Sequence, residues 1–472
     1  MTRTAMRTPA TDLDALRVRL TSAAVGPDDE GYDDLWRVWN GAFDDRRPAV
    51  IVRCGADEDV SAALAFARTA GLEVTVRGGA HSTPGASVAD GAVMIHLGGL
   101  DTVTVDPGTR TALVGGGATL AALDAATTAH GLAVPTGLIS RTGIGGLTLG
   151  GGLGWLSRKF GLALDNVRAV RIVTADGRVR RAAADEHPDL FWAVRGGGGN
   201  VGVVTEFEFA LHPVDPVVQV GMFFWPLGRA ADGLRLARAV TADLPEQLNA
   251  VILGMNAPLA PFVPEPVQGT PGVALVLVGF DGTDEFAGCA ERLRSGLPPL
   301  FELVSPMPYT ALQQLFDAGN EFGVHAYEKG VHLADLGDDA IGAIARHLSR
   351  KPSPLSVFVV HRMDGAFSAV PEDATAWGGG RSPRYTAFVL GVTPEPAGLA
   401  AERAWVRGFA DALEPYALEA GTHANRVEVG DEPRVRATYG AKFDRLARVK
   451  AEYDPQDVFH HRHAGIRRPA PA

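Results

Sequence analysis

The stretch TGIGGLTLGGGLGW, residues 142–155, holds seven glycines in fourteen positions, interleaved with Leu, Ile and Thr. Glycine loses more conformational freedom on folding than any other residue, so a simple turn does not account for such a run. One reading is a set of tightly packed turns. The other is a wall along which backbone N–H groups approach a large anionic ligand. Working outward, the same texture recurs upstream in VRGGAHS (76–82) and downstream in RGGGGNVG (195–202). From Gly71 to Gly202, 132 residues carry 27 of the chain's 57 glycines. No G-X-Y period is present and apolar residues separate the glycines, which excludes collagen and a flexible linker.

The remaining composition narrows the class. The chain has 472 residues, enough for two large domains, with 46% apolar and 21% charged residues. Its formal charge of −11 argues against nucleic acid and anionic membranes as partners. No apolar run reaches the roughly 18 residues of a membrane span, and MTRTAMRTPATDLD has no signal-peptide core. Cys54 and Cys289 are too few for a disulfide framework. A cytoplasmic protein, monomer or homodimer, is expected.

Periodicity sets out the order of elements. A strand at VIVRC is followed by a helix from Asp57 to Ala70, whose Val60, Ala63, Leu64 and Ala67 share one face, and by the strand EVTVRGG. AVMIHL, TVTV and TALV read as a meander, Leu120 to Ala126 as a helix, and Asp176-Gly177 as a hairpin turn. VVTEFEFAL (203–211) alternates as a half-buried strand. Between about 216 and 420, strands such as VVQVGMFFW and VALVLVGF alternate with helices, predicting an antiparallel sheet with helices. One amphipathic helix is expected from Tyr439 to Tyr453. Gly197 to Gly202 matches G-x-G-x-x-G but leads into a strand, so the helix N-terminus of a dinucleotide fold is missing. His460, His461 and His463 share no face and no metal is expected there.

Taken together, RPAVIVRCGADEDVSAALAFAR (47–68), VRGGAHS, TGIGGLTLGGGLGWLSRKFGLALDNV (142–167), DLFWAVRGGGGNVGVVTEFEF (189–209) and YGAKFDRLARVKAEYDPQDVF (439–459) resemble the berberine-bridge-enzyme-like FAD oxidoreductases. These belong to the p-cresol-methylhydroxylase/vanillyl-alcohol-oxidase flavoprotein superfamily. The resemblance implies an α+β, two-domain, PCMH-type fold. Residues 1–215 would form the FAD domain (core about 46–215) and 216–420 the inserted substrate domain of antiparallel sheet plus helices. Residues 421–472 would return to the FAD domain.

It also implies a cofactor site. His81 matches the histidine bonded to the flavin 8α-methyl carbon. Arg77, Gly78, Gly79, Ala80 and Ser82 match one pyrophosphate loop, and Thr142, Gly143, Gly145 and Gly146 the other. Asn200, Gly202, Val203 and Val204 match the segment at the adenine end. Gly117, Pro135, Thr136, Gly137, Gly152 and Arg462 complete the expected FAD contacts. Relatives with a second, cysteinyl bond carry Cys where this chain has Ile139, so attachment through His81 alone is expected.

The catalytic end departs from the family pattern. G-x-Tyr-x-Asn becomes Gly421-Thr422-His423-Ala424-Asn425, and F-x-x-Asn-Gln-Asn becomes Phe459-His460-His461-Arg462-His463-Ala464. His423 is therefore the candidate base, since its ordinary pKa suits proton removal near neutral pH. Tyr327 and His361 are further catalytic candidates, with Lys329 and Arg362 on the same segments. The expected activity is hydride transfer from a small alcohol, amine or hydroxylated secondary metabolite to FAD, with reoxidation by O₂. The alternative is a flavin-holding protein with non-redox chemistry, such as a cyclase or carrier.

Overall fold

Three large sheets and a two-stranded one, Leu132–Ala133 with His212–Pro213, organise the chain in a computed structural model that describes residues 10–281, 283–418, 421–427, 431–460 and 466. The first has four strands in the order Ala23–Val25, Val50–Arg53, Val93–His96, Val74–Arg77. The last three run parallel and the first is antiparallel to its neighbour. The helix Asp57–Ala70 covers this sheet with Val60, Ala63, Leu64 and Ala67, as its spacing predicts, and Gly71 closes it at φ 65°. VMIH thus joins the parallel sheet and not a meander with its successors, because the strand Val74–Arg77 lies beside it.

The second sheet is antiparallel, in the order Val103–Asp106, Thr111–Gly115, Val203–Ala210, Val167–Val173, Val179–Ala183. Its last pair turns at Asp176-Gly177, with Gly177 at φ 79°, as the hairpin signal requires. Val203–Ala210 is central here; alternation puts Phe207 and Phe209 into one core, and a register shift after Val204 brings that residue to the same side. The helices Glu432–Tyr439 and Phe443–Tyr453 add Val435, Tyr439, Leu446, Ala447 and Val449 to that core. Gly440, at φ 49°, ends the first of them, so the single helix expected from Tyr439 starts at Phe443 instead.

The third sheet has seven antiparallel strands: Phe301–Pro308, Val217–Pro226, Pro271–Gly279, Leu248–Asn256, Val357–Met363, Arg384–Thr393, His325–Leu333. Helices Ala230–Ala242, Thr283–Gly296, Asp338–Leu348 and Leu399–Leu413 pack on one face through Leu234, Leu293, Ile344 and Phe409. The other face turns toward the glycine segments, where Val220, Leu253 and Val276 meet Trp155 and Leu156. Central strands such as VALVLVG are therefore apolar at every position.

The glycine stretch 142–155 is part helix. Ile144–Gly150 forms two turns, then Gly151 (φ 144°) and Gly152 (φ 82°) break it. Low glycine propensity hid this helix from the periodicity argument. It holds because Ile144 and Thr148 are buried, and because Asn425 donates to the Gly146 carbonyl at 3.1 Å.

Candidate active site

A cavity of about 970 Å³ lies between the glycine segments and the inner face of the seven-stranded sheet. Its size is at the upper end of the range for ligand pockets, of order 1,000 Å³. Gly78, Gly79, Ala80, His81 and Ser82 line it, as do Gly137, Thr142, Gly143, Gly145, Gly146, Gly152, Asn200, Gly202, Val203 and Val204. His361 and His423 line the far wall.

Close approach explains the glycines in two ways. A Cβ on Gly79 would sit 2.2 Å from the Gly143 nitrogen, and one on Gly143 2.2 Å from the Gly79 nitrogen, so the two loops touch backbone to backbone. By contrast, a Cβ on Gly146 would meet nothing within 4 Å, and one on Gly199 only the Gly202 carbonyl at 3.8 Å. Those two glycines face open cavity. The first pair is packing, the second leaves room for a ligand.

His81 stands in the loop after Val74–Arg77, next to Ala80 in the left-handed region (φ 56°). Its ring stacks on Trp39 at 4.8 Å between centroids and meets the edge of Phe322. Among the described residues its Nε2 is buried without a hydrogen-bond partner. Burial, with the Arg426 charge adding to it, lowers its pKa to about 4, so the imidazole is neutral at physiological pH.

Seven sequence candidates stand outside the cavity lining, Lys329 and Arg362 among them. Arg77 donates to His96 at 2.7 Å and to the Arg37 carbonyl at 3.1 Å, so its guanidinium is used beneath the loop. Gly117 is pressed against the Leu97 carbonyl and serves packing. Pro135 also lies outside the lining. The Thr136 hydroxyl accepts from Gln313 at 2.6 Å, away from the cavity. Tyr327 points to the helix-covered face, where its hydroxyl accepts from Arg407 at 3.0 Å. Arg462 lies outside the described residues, as do His461 and His463.

His423 is buried, edge-on to Phe388 at 6.0 Å. Its Nδ1 accepts from the Asn425 backbone at 3.3 Å, which assigns the proton of the neutral ring to Nε2. That tautomer presents a donor, not an acceptor. His361 is also buried against Phe388, with a centroid distance of 6.2 Å, and burial together with Arg426 lowers its pKa to about 4.

Sequence reasoning missed the pair Glu328 and Arg426. Glu328 lines the cavity and is 7% exposed; it accepts from Thr83 at 2.9 Å and is ion-paired with Arg426. Burial raises its pKa while Arg426 and Thr83 oppose the rise. A Glu in the middle of HAYEKGVHL carries no signal of which face it takes. Cys54 and Cys289 are buried away from the cavity, where burial pushes both thiols up, and Ile139 lines it. Among the described residues no group of His, Cys, Asp and Glu is arranged to hold a metal, and no helix is long and apolar enough to cross a membrane.

Two glycine-lined loops, a neutral histidine between them and a sheet-walled pocket beyond define a flavin-binding oxidoreductase of the PCMH type. Residues 48–183 match the family model described as FAD binding domain, and 420–466 the one described as berberine and berberine like. The chain is 29% identical to (R)-6-hydroxynicotine oxidase of Paenarthrobacter nicotinovorans over 95% of its length and 97% of that protein's. It is 26% identical to xylooligosaccharide oxidase of Thermothelomyces thermophilus, covering 90% and 89%. The crystal structure of 6-hydroxy-D-nicotine oxidase from Arthrobacter nicotinovorans superposes with a TM-score of 0.82 at 26% identity, covering 97% of this chain and 99% of that one. A berberine-bridge-enzyme-like protein of Physcomitrella patens has the same fold, with a TM-score of 0.86 at 21% identity over 97% of this chain and 100% of that one. The chain thus carries the FAD-binding and berberine-like domains, and the proteins it is similar to are berberine-bridge-enzyme-like FAD-linked oxidoreductases.

Proposed function

We propose that the protein is an FAD-dependent oxidase acting on a small alcohol, amine or hydroxylated secondary metabolite, with O₂ as the final acceptor and with FAD joined covalently through His81 alone. The observation that carries this is His81: a neutral, buried imidazole in a glycine loop at the cavity wall, whose Nε2 has no hydrogen-bond partner among the described residues. The residues fit the cofactor. Open space beside Gly146 and Gly199 leaves room along the glycine walls, and Ser82, Thr142, Asn200, Gly202, Val203 and Val204 line the same cavity. Arg77 being used elsewhere, backbone N–H groups would meet the pyrophosphate. When bound, FAD supplies a hydride acceptor that O₂ can reoxidise.

The protein's own part is to hold the substrate and take its proton as hydride leaves. His361 supports that role better than His423, since it lines the cavity and its ring makes no side-chain hydrogen bond among the described residues. His423, donating from Nε2, would orient rather than deprotonate.

The purified protein should be yellow and stay fluorescent on a denaturing gel. Flavin released by acid precipitation would defeat the covalent attachment. His81→Ala should abolish attachment while the fold persists. His361→Gln should keep the flavin and lower kcat by about 10²–10⁴-fold. Anaerobic mixing with substrate should bleach the flavin; product formed without bleaching would favour the non-redox alternative.

A further inference from the structure

Among the described residues that line the cavity, only the Glu328 and Arg426 side chains are formally charged, and they neutralise each other. His81 and His361, with pKa values near 4, add no charge at neutral pH. The hydrogen-bonding side chains are largely committed as well. Asn256 donates to the Gly269 carbonyl and accepts from Lys351, Asn320 donates to Phe316, and Asn425 donates to Gly146. Beyond the glycine walls, Met222, Leu253, Met255, Phe316, Leu390 and Val392 present apolar surface. At the rim Leu259 is 81% exposed, although it also lines the cavity.

Such a wall recognises by exclusion. An ammonium or carboxylate entering it would lose hydration with no free counter-charge, which disfavours ionic ligands strongly. A polyol would bury hydroxyls with too few partners. Besides the ring of His361, Glu328 offers an acceptor: both hydrogen bonds that it accepts from described residues fall on Oε2, leaving Oε1. Arg426 in turn has a buried Nε without a partner among the described residues.

We infer that the cavity takes a neutral, predominantly apolar molecule with a hydroxyl held at the Glu328–Arg426 pair, and that this pair acts as a charge filter. The inference rests on the oxidase reading for the site's purpose, but its test does not. The holoprotein is titrated with 4-phenylbutan-1-ol, 4-phenylbutylamine, 4-phenylbutanoate and cellobiose, and binding is read from perturbation of the visible flavin spectrum. The alcohol should bind at least about tenfold more tightly than either ion or the disaccharide. Glu328→Gln leaves Arg426 unbalanced and should turn the preference toward the carboxylate. Arg426→Gln leaves Glu328 unbalanced and should turn it toward the ammonium. An ion or cellobiose that binds the wild type as well as the alcohol overturns the inference, as does a folded variant with unchanged order. Should both variants misfold, the wild-type order decides alone. Anaerobic bleaching, recorded in the same cuvettes, reports on the oxidase reading separately.

Discussion

At the scale of single residues, the buried histidines dominate the protein's response to acid. His81, His96 and His361 have pKa values near 4 and His332 near 3, in each case chiefly through burial. In the unfolded chain these groups titrate near 6.5. Between about pH 6.5 and 4 the unfolded state therefore binds more protons, and stability falls as pH falls. Thermal melts in that window should show a steadily dropping midpoint, and His332→Gln should flatten the drop. Asp124 works with the opposite sign. It is buried in the helix Leu120–Thr128, accepts from Gln313 at 3.0 Å, and burial raises its pKa to about 7. The unfolded chain releases that proton near 3.8, so folding loses stability as pH rises toward 7. Asp124→Asn should accordingly raise the midpoint at pH 8 by about 2–4 °C and change it little at pH 3.5.

At the scale of elements, two glycine substitutions separate packing from ligand space. Gly79→Ala forces a Cβ into the Gly143 backbone, where neither chain segment can yield cheaply; a loss of about 2 kcal/mol or more in chemical denaturation is expected. Gly146→Ala meets open cavity, so the fold should be unchanged while flavin incorporation drops. The same comparison shows what was legible in advance. Glycine clustering and the VRGGAHS loop located the cavity, because close backbone approach admits few other residues. Strand facing was not legible on a sheet buried on both sides, since apolar runs such as VALVLVG lose the alternation that reports which face is which. The error is one residue: in HAYEKGVHL the tyrosine faces the helices while Glu328 enters the cavity. Along VFVVHRM, His361 lines the cavity and its neighbour Arg362 instead pairs with Asp364 at 2.9 Å.

For the whole molecule, the cavity exists only while the glycine-rich half and the seven-stranded sheet stay docked, and buried polar groups hold that joint. Ser140 bonds Asp317 through its backbone at 2.9 Å and its hydroxyl at 2.5 Å. Asn249 reaches the Trp155 carbonyl at 2.7 Å. Arg158 does the most. It leaves the short helix Ser157–Phe160, is 6% exposed, donates to the carbonyls of Leu244, Pro245 and Leu248, and pairs with Asp364. Replacing Arg158 with Met keeps the volume but strands three carbonyls and removes one of the two cations on Asp364. A buried pair broken from one side costs about 3–5 kcal/mol, so the denaturation midpoint should fall sharply. Arg294, paired with Glu302 on the exposed edge strand, has the same chemistry in water. Arg294→Met should cost less than about 1 kcal/mol. If the two variants lose equal stability, the joint is not held by its buried polar contacts. If only Arg158→Met weakens the fold and also raises KM, docking of the two halves sets the cavity's shape as well as its stability.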